Sequence, residues 1–188
     1  MYMDFSDEDL IKEYLEGNQD SFKILIDRYT TSLYNFIFRF VGKDNTPDVI
    51  QDVFIKIWKN INKFDSSKSH FKTWIFTIAR NTVTDYLRKR KMILFSSLDK
   101  DEESFEDNIK DESLLPDEAL SKIEDNEYLN KTLDQIPPKY KEVLVLHYQE
   151  DMTFAQIGEI LNKPTNTVKS YHYRAILLLR ELILHQDL

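Results

Sequence analysis

Phe71 to Lys91 holds the residues of this chain best suited to meet another molecule. Wound as an α-helix at about 100° per residue, it separates into two faces. Phe71, Ile75, Ile78, Ala79, Val83 and Tyr86 lie on one; Thr73, Thr77, Arg80, Asn81, Thr84 and Arg88 lie on the other. Trp74 sits at the border, beside Asn81 and Asp85. A merely solvated face would use glutamate and lysine, which favour helix at little cost. β-Branched threonines, an asparagine and arginines running into Arg88-Lys89-Arg90-Lys91 instead suit contact with something polar and anionic.

Covalent chemistry finds no comparable foothold. His70, His147, His172 and His185 are scattered, without the spacing of a metal site. No glycine-rich phosphate loop and no serine elbow occurs, and cysteine is absent, which removes disulfides and thiolate nucleophiles. Asp99, Asp101 and Glu103 alternate as in a calcium loop, but the required glycine is missing. The sequence therefore points away from an enzyme and from any metal or cofactor.

A net charge of −8 first argues against an anionic partner. Its distribution reverses that. Ser96 to Glu127 holds 13 acidic and 3 basic residues, so the remainder of the chain has a net charge of +2. Its first part, Ser96 to Pro116, acidic, serine-containing and poor in apolar periodicity, reads as a linker, partly disordered. The acidic start lacks a signal peptide's basic and apolar regions, and no apolar run reaches the roughly 20 residues of a membrane span. A soluble, cytoplasmic protein is expected.

The elements that must position the Phe71 helix are themselves helical. Glycine is scarce (3 residues) and no strand pattern is visible, so the fold class expected is all-α. Ser6-Asp7-Glu8-Asp9 starts a first helix, ended by Gly17-Asn18; a second, roughly Asp20 to Val41, is dense in core residues. Thr46 is expected to cap a third, with Pro47 in its first turn. There Val49, Ile50, Val53, Phe54, Ile57 and Trp58 form an apolar stripe, while Asp48, Asp52 and Ile55 point away, flanked by Gln51 and Lys56. An outward isoleucine between carboxylates suggests a protein interface. A polar loop, Asp65 to His70, leads into the Phe71 helix, whose pattern stops after Lys91.

Beyond the linker, helix is expected from near Pro116 to Leu133 and again from Pro138 through Tyr148. Thr153 caps a short helix to Leu161; Asn162-Lys163-Pro164 makes a turn; Thr165 or Asn166 caps a long final helix. Short helix, tight turn and long helix make a helix-turn-helix, whose second helix lies in the DNA major groove. Val168, His172, Ala175, Ile176 and Leu179 share its inner face. Asn166, Lys169, Ser170, Tyr173 and Arg174 lie opposite, with no acid between Ile160 and Arg180. Such an inventory fits phosphate and base-edge contacts.

Three stretches together resemble the bacterial sigma-70 family in its extracytoplasmic-function class. Asp48 to Trp58 resembles the region 2.2 helix, which docks on the polymerase clamp. Phe71 to Asn81, continuing to Asp85-Tyr86-Leu87-Arg88, is similar to the helix that reads and melts the −10 element. Thr153 to Ala175, especially Thr167-Val168-Lys169-Ser170 and Arg174-Ala175, resembles the region 4 reader of the −35 element. The fold implied is two small helical domains joined by an acidic linker, the second a helix-turn-helix. Residues 1–93 would form the region 2 domain, 94–117 the linker and 118–188 the region 4 domain.

The resemblance implies a transcription initiation factor with core RNA polymerase and promoter DNA as partners. It also implies an anti-sigma factor, commonly a membrane-tethered one. Asp48, Gln51, Asp52 and Ile55 would bind core. Phe64, Ser66, Lys68 and His70, in the loop before the helix, would form the pocket for a flipped base. Trp74 and Asn81 would meet the opened strand, and Arg80, Arg88, Lys89 and Arg90 its phosphates. Asn166, Lys169, Ser170, Tyr173 and Arg174 would contact the −35 element. The family usually has Arg-Leu-His-Arg-Ala where this chain has Tyr171-His172-Tyr173-Arg174-Ala175, and His147 stands where a basic residue is common. Both departures lower the fixed charge of the −35 reader. The linker would tether the domains or, by resemblance, follow the polymerase RNA-exit path as a nucleic-acid mimic.

Two rival readings remain at this point. A stand-alone helix-turn-helix regulator would shift DNA without polymerase. A helical interaction protein that binds no DNA would use the Trp74–Asn81 face for a partner, insensitive to the charge of Arg88, Lys89 and Arg90.

Overall fold

In the computed structural model, residues 5–95 and 132–186 are described, and every regular element among them is helical. The acidic segment read as a linker and most of the helix expected from Pro116 to Leu133 lie outside the described residues.

The first unit is built from α1 (Asp7–Leu15), α2 (Gln19–Val41), α3 (Thr46–Asn60) and α4 (Phe71–Phe95). Ser6 and Asp9 form a reciprocal capping box at the start of α1, which satisfies amide donors that the first turn leaves open. Arg28 fastens α1 to α2 through Asp7 at 2.5 Å. The apolar faces meet in a core that includes Leu10, Leu25, Leu33, Phe36, Ile37, Val53, Ile57, Phe71, Ile75 and Phe76. Phe36 and Phe76 meet edge to face at 5.4 Å.

Three details differ from expectation. Thr46 is the first residue of α3, not its cap; its hydroxyl donates to the Gly42 carbonyl at 2.7 Å. Asn45 occupies the cap position, but its side chain turns to the Val41 carbonyl and to Tyr86 on α4. Secondly, α4 continues four residues past Lys91, since Met92 to Phe95 contain neither glycine nor proline to stop it. Thirdly, Trp58 leaves the apolar stripe of α3 and is 55% exposed, because Ile57 and Val53 already fill the line facing the core.

The second unit contains α5 (Pro138–Leu144), a π-helical turn (Val145–Gln149), α6 (Phe154–Leu161) and α7 (Thr165–Gln186). Thr153 caps α6 in a box with Gln156. Asn162 closes that helix in the left-handed region at φ 51°. Gly158 permits the tight turn, because a Cβ there would stand 2.8 Å from the Lys163 carbonyl oxygen. α7 begins at Thr165 itself, one residue earlier than a Thr165 cap requires. Ala175 and Leu179 pack with Leu133, Ile136 and Leu144, closing this unit's inner side.

The two units touch. Val143, Leu146, Met152 and Ile157 belong to the same buried cluster as the core of the first unit, and α6 packs on α4.

Candidate nucleic-acid interface

The loop between α3 and α4 is shaped by one carboxylate. Asp65 accepts from the Ser67 amide at 3.0 Å, the Ser67 hydroxyl at 2.6 Å and the Lys68 ammonium at 2.9 Å. These hydrogen bonds, the Ser67 hydroxyl's first, lower its pKa to about 2. Ser66, Lys68 and His70 are left facing solvent. Phe64 folds inward, packing on Phe71 at 5.3 Å and on Trp74 at 5.5 Å. Trp74 is thereby held half-buried at the mouth of this loop. A groove also opens between the loop and α1, where Ile11, Lys12, Leu15 and Glu16 face Phe64 and Ser66. The α1 wall of this groove is not legible in the sequence, because it depends on packing between distant segments.

Along α4, Asn81, Thr84, Arg88, Lys89 and Arg90 are exposed. The rest of the polar face behaves differently. Thr73 is only 1% exposed, and Thr77 and Arg80 are half-buried, on a helix against which α6 of the second unit packs. Arg80 faces Glu142 at 3.6 Å. The hydroxyls of Thr77 and Thr84 bond the Thr73 and Arg80 carbonyls of their own helix. The open part of the face is thus the Asn81–Arg90 half.

On α3, Asp48, Gln51, Asp52 and Ile55 form one exposed stripe at helical spacing, with Ile55 at 40%. Trp58 extends it by one turn. An exposed indole beside an exposed isoleucine, with Asp52 one turn and Asp48 two turns before the isoleucine, has the make-up of a protein-binding patch.

On α7, Asn166, Lys169 and Ser170 are exposed, and Tyr173 and Arg174 are half-buried on the same flank. His172 turns inward as its spacing requires, accepting or donating with Tyr148 at 3.0 Å and lying 5.1 Å from Phe154. His147 stacks on Phe154 at 4.6 Å and bonds the Met152 carbonyl at 2.8 Å. It works inside the unit, holding the start of α6, rather than on the surface. Among the described residues no cluster of histidine and acidic side chains could hold a metal ion, and no helix is long and apolar enough to cross a membrane.

A basic helix behind an ordered loop, an apolar patch beside two carboxylates and a helix-turn-helix are three distinct surfaces. Comparison with known proteins matches both units to one family. Residues 25–92 match the sigma-70 region 2 family, and residues 126–179 match sigma-70, region 4. The chain is 32% identical over 177 residues to the ECF RNA polymerase sigma factor SigW of Bacillus subtilis, covering 91% of this chain and 93% of that one. It is 30% identical to the ECF RNA polymerase sigma-E factor of Haemophilus influenzae, covering 95% and 93%. Among solved structures it resembles RpoE of Bartonella quintana, determined with the anti-sigma factor NepR, at TM-score 0.67 and 25% identity, covering 86% and 96%. The fold also matches CnrH, determined with the cytosolic domain of CnrY, at TM-score 0.68 and 22% identity, covering 94% and 96%. Both of its units and nearly its whole length being accounted for in this way, the chain belongs to the extracytoplasmic-function class of the sigma-70 family and is a promoter-specific transcription initiation factor.

Proposed function

We propose that the chain docks on core RNA polymerase through Asp48, Gln51, Asp52 and Ile55, joined by Trp58. It then reads the −10 element with the Phe64–His70 loop and α4, and the −35 element with α7. The observation that carries this reading is the stripe on α3, where Ile55 and Trp58 stand 40% and 55% exposed in line with Asp48 and Asp52. Large apolar groups left in water favour a partner that covers them.

Division of labour follows from residue type. Phe64, Ser66, Lys68 and His70 frame a pocket for an extruded base, with Trp74 as a stacking wall; base–aromatic stacking contributes about 1–3 kcal/mol. Asn81 supplies hydrogen bonds to the opened strand. Arg80, Arg88, Lys89 and Arg90 neutralise phosphates, and Asn166, Lys169, Ser170, Tyr173 and Arg174 engage the −35 duplex. The domains are taken as 1–93 and 118–188, with 94–117 as tether. The protein performs no chemical step of its own and works in the cytoplasm. An anti-sigma partner, such as NepR is for RpoE of Bartonella quintana, is expected for this chain also.

The test is association of the full chain with core polymerase, followed by run-off transcription from a promoter library. Transcripts from promoters sharing two spaced elements are expected. Failure to associate with core would refute the reading.

A further inference from the structure

Two of the chain's four histidines meet inside the helix-turn-helix. The rings of His147, in the π-helical turn, and His172, on the inner side of α7, stand 5.3 Å apart at 83°. Phe154, the first residue of α6, lies against both, stacked 4.6 Å from His147 and 5.1 Å from His172. The pair thus joins the three elements that set the pose of the reading helix.

Hydrogen bonds fix how the pair can take up a proton. The Met152 carbonyl only accepts, so His147 Nδ1, 2.8 Å away, carries a hydrogen whatever the charge of the ring. Nε2 is then the atom that gains or loses the proton. His172 Nε2 lies 3.0 Å from the Tyr148 hydroxyl, which can donate to a neutral ring or accept from a charged one. Neither bond has to break on protonation. Both rings are half-buried, so water reaches them, and the face of Phe154 stabilises a cation on His147. A second cation 5.3 Å away would repel the first, so the pair takes up one proton before two.

The charged neighbours permit that first proton. From the turn, Asp151 lines the same depression as His147, together with Tyr148, Met152 and Thr153. Glu150 is engaged by Lys72 at 3.4 Å. α6 presents the uncharged ring of Phe154, while its Glu159 accepts from Ser69 at 3.0 Å. On α7, Lys169 lies one turn before His172 and is exposed on the outer side. A cation at the pair is separated from DNA on that outer side by the width of one helix, about 10 Å. That distance is comparable to the Debye length of about 8 Å at physiological salt, and the intervening protein screens less than water does.

We propose that the His147–His172 pair tunes the −35 reader by pH. One proton taken up in mildly acidic conditions, where imidazole gains its charge, strengthens the hold of α7 on duplex phosphates; loss of that proton relaxes it. The proposal rests on the reading of α7 as the −35 contact.

Three forms of the full chain test it by fluorescence anisotropy at constant ionic strength from pH 5.5 to 8. They are wild type, His147→Gln, whose neutral side chain can still donate to Met152, and His147→Arg, whose charge is fixed. The probe is a labelled duplex carrying the −35 element of a promoter recovered by run-off transcription. All other titrating groups are common to the three, so differences between them isolate the pair. Wild type should tighten about threefold or more from pH 8 to 5.5 relative to His147→Gln, roughly the effect of one phosphate contact. His147→Arg should hold the tight value throughout. In wild type, the imidazole C–H shifts of the two rings should titrate with the midpoint seen in binding. A wild-type profile parallel to that of His147→Gln overturns the proposal. So do ring shifts that stay flat over this range, a readout that stands even if a variant fails to fold. If wild type binds the duplex at no pH, the −35 assignment itself fails, and the proposal with it.

Discussion

The Lys141 ammonium lies 2.7 Å from the Arg39 carbonyl of the other unit, 2.6 Å from Asp134 of its own, and 5.4 Å above the Phe40 ring. Only 6% of the residue is exposed. A lysine so desolvated needs all of these partners, and two of them, the Arg39 carbonyl and the Phe40 ring, are available only while the units touch. Contact between the units is therefore written into a side chain of the second unit, not left to chance collision.

The apolar patch on α3 should carry core affinity. Ile55→Ala with Trp58→Ala removes two exposed apolar anchors. Truncating such anchors costs on the order of 2 kcal/mol or more at an interface centre, more than a tenfold loss of affinity. Competition for core polymerase would measure it, and thermal unfolding should barely move, because neither side chain fills the core. Equal competition by wild type and variant would remove the patch from the docking surface.

Asp65 should govern the shape of the base pocket. Asp65→Ala releases Ser67 and Lys68, so hydrogen exchange in the Phe64–His70 loop should accelerate while the helices stay protected. The carboxylate's pKa is depressed to about 2. Its contribution is accordingly complete above the ordinary value near 3.9 and is lost as pH falls through about 2. Amide chemical shifts at Ser67 should hold steady from neutral pH down to about 4. A midpoint at an ordinary carboxylate value would contradict the arrangement.

Closure of the two units should respond to acid. Burial raises the pKa of Glu142 against the opposing effect of Arg80. It raises that of Glu150 against Lys72 and the Ser32 hydroxyl, with Asp151 adding to the rise. A pKa raised in the closed state means that closure binds protons, so closure strengthens as pH falls and weakens as pH rises through the raised values. Energy transfer between dyes at positions 69 and 159 should rise on acidification, and Glu142→Gln should flatten that slope. A rise with increasing pH would contradict the sign.

Gly158→Ala should damage the helix-turn-helix. Its Cβ would lie 2.8 Å from the Lys163 backbone oxygen, which cannot swing aside like a flexible side chain. Overpacking of this kind costs about 1–3 kcal/mol. Denaturant unfolding of the second unit and binding to −35 duplex should both weaken; unaltered binding would show that the turn tolerates the shift.

Much of this architecture is legible in local chemistry. Ser6 with Asp9, and Thr153 with Gln156, announce helix starts because caps depend on residues three apart. The outward Ile55 follows from period alone. What escapes is set by packing between distant parts. Helical periodicity places Thr73 and Arg80 on a polar face, and nothing local shows that another unit packs against this helix. Trp58 falls within an apolar arc, yet core space is already taken by Val53 and Ile57. Asn45 loses its capping role to a partner, Tyr86, 41 residues away. The π-helical turn at Val145–Gln149 has no local signal; with it the chain brings His147 onto Phe154.

The central claim is that α4 opens the promoter on a polymerase held by α3. Promoter opening by holoenzyme, followed by permanganate reactivity of thymines across the −10 region, tests it most directly when core association is measured in the same samples. Trp74→Ala with Asn81→Ala should leave core association intact and cut thymine reactivity about tenfold or more, the loss of one stacking wall and its neighbouring hydrogen bond. Full reactivity in that variant, or loss of core association instead, would contradict the account.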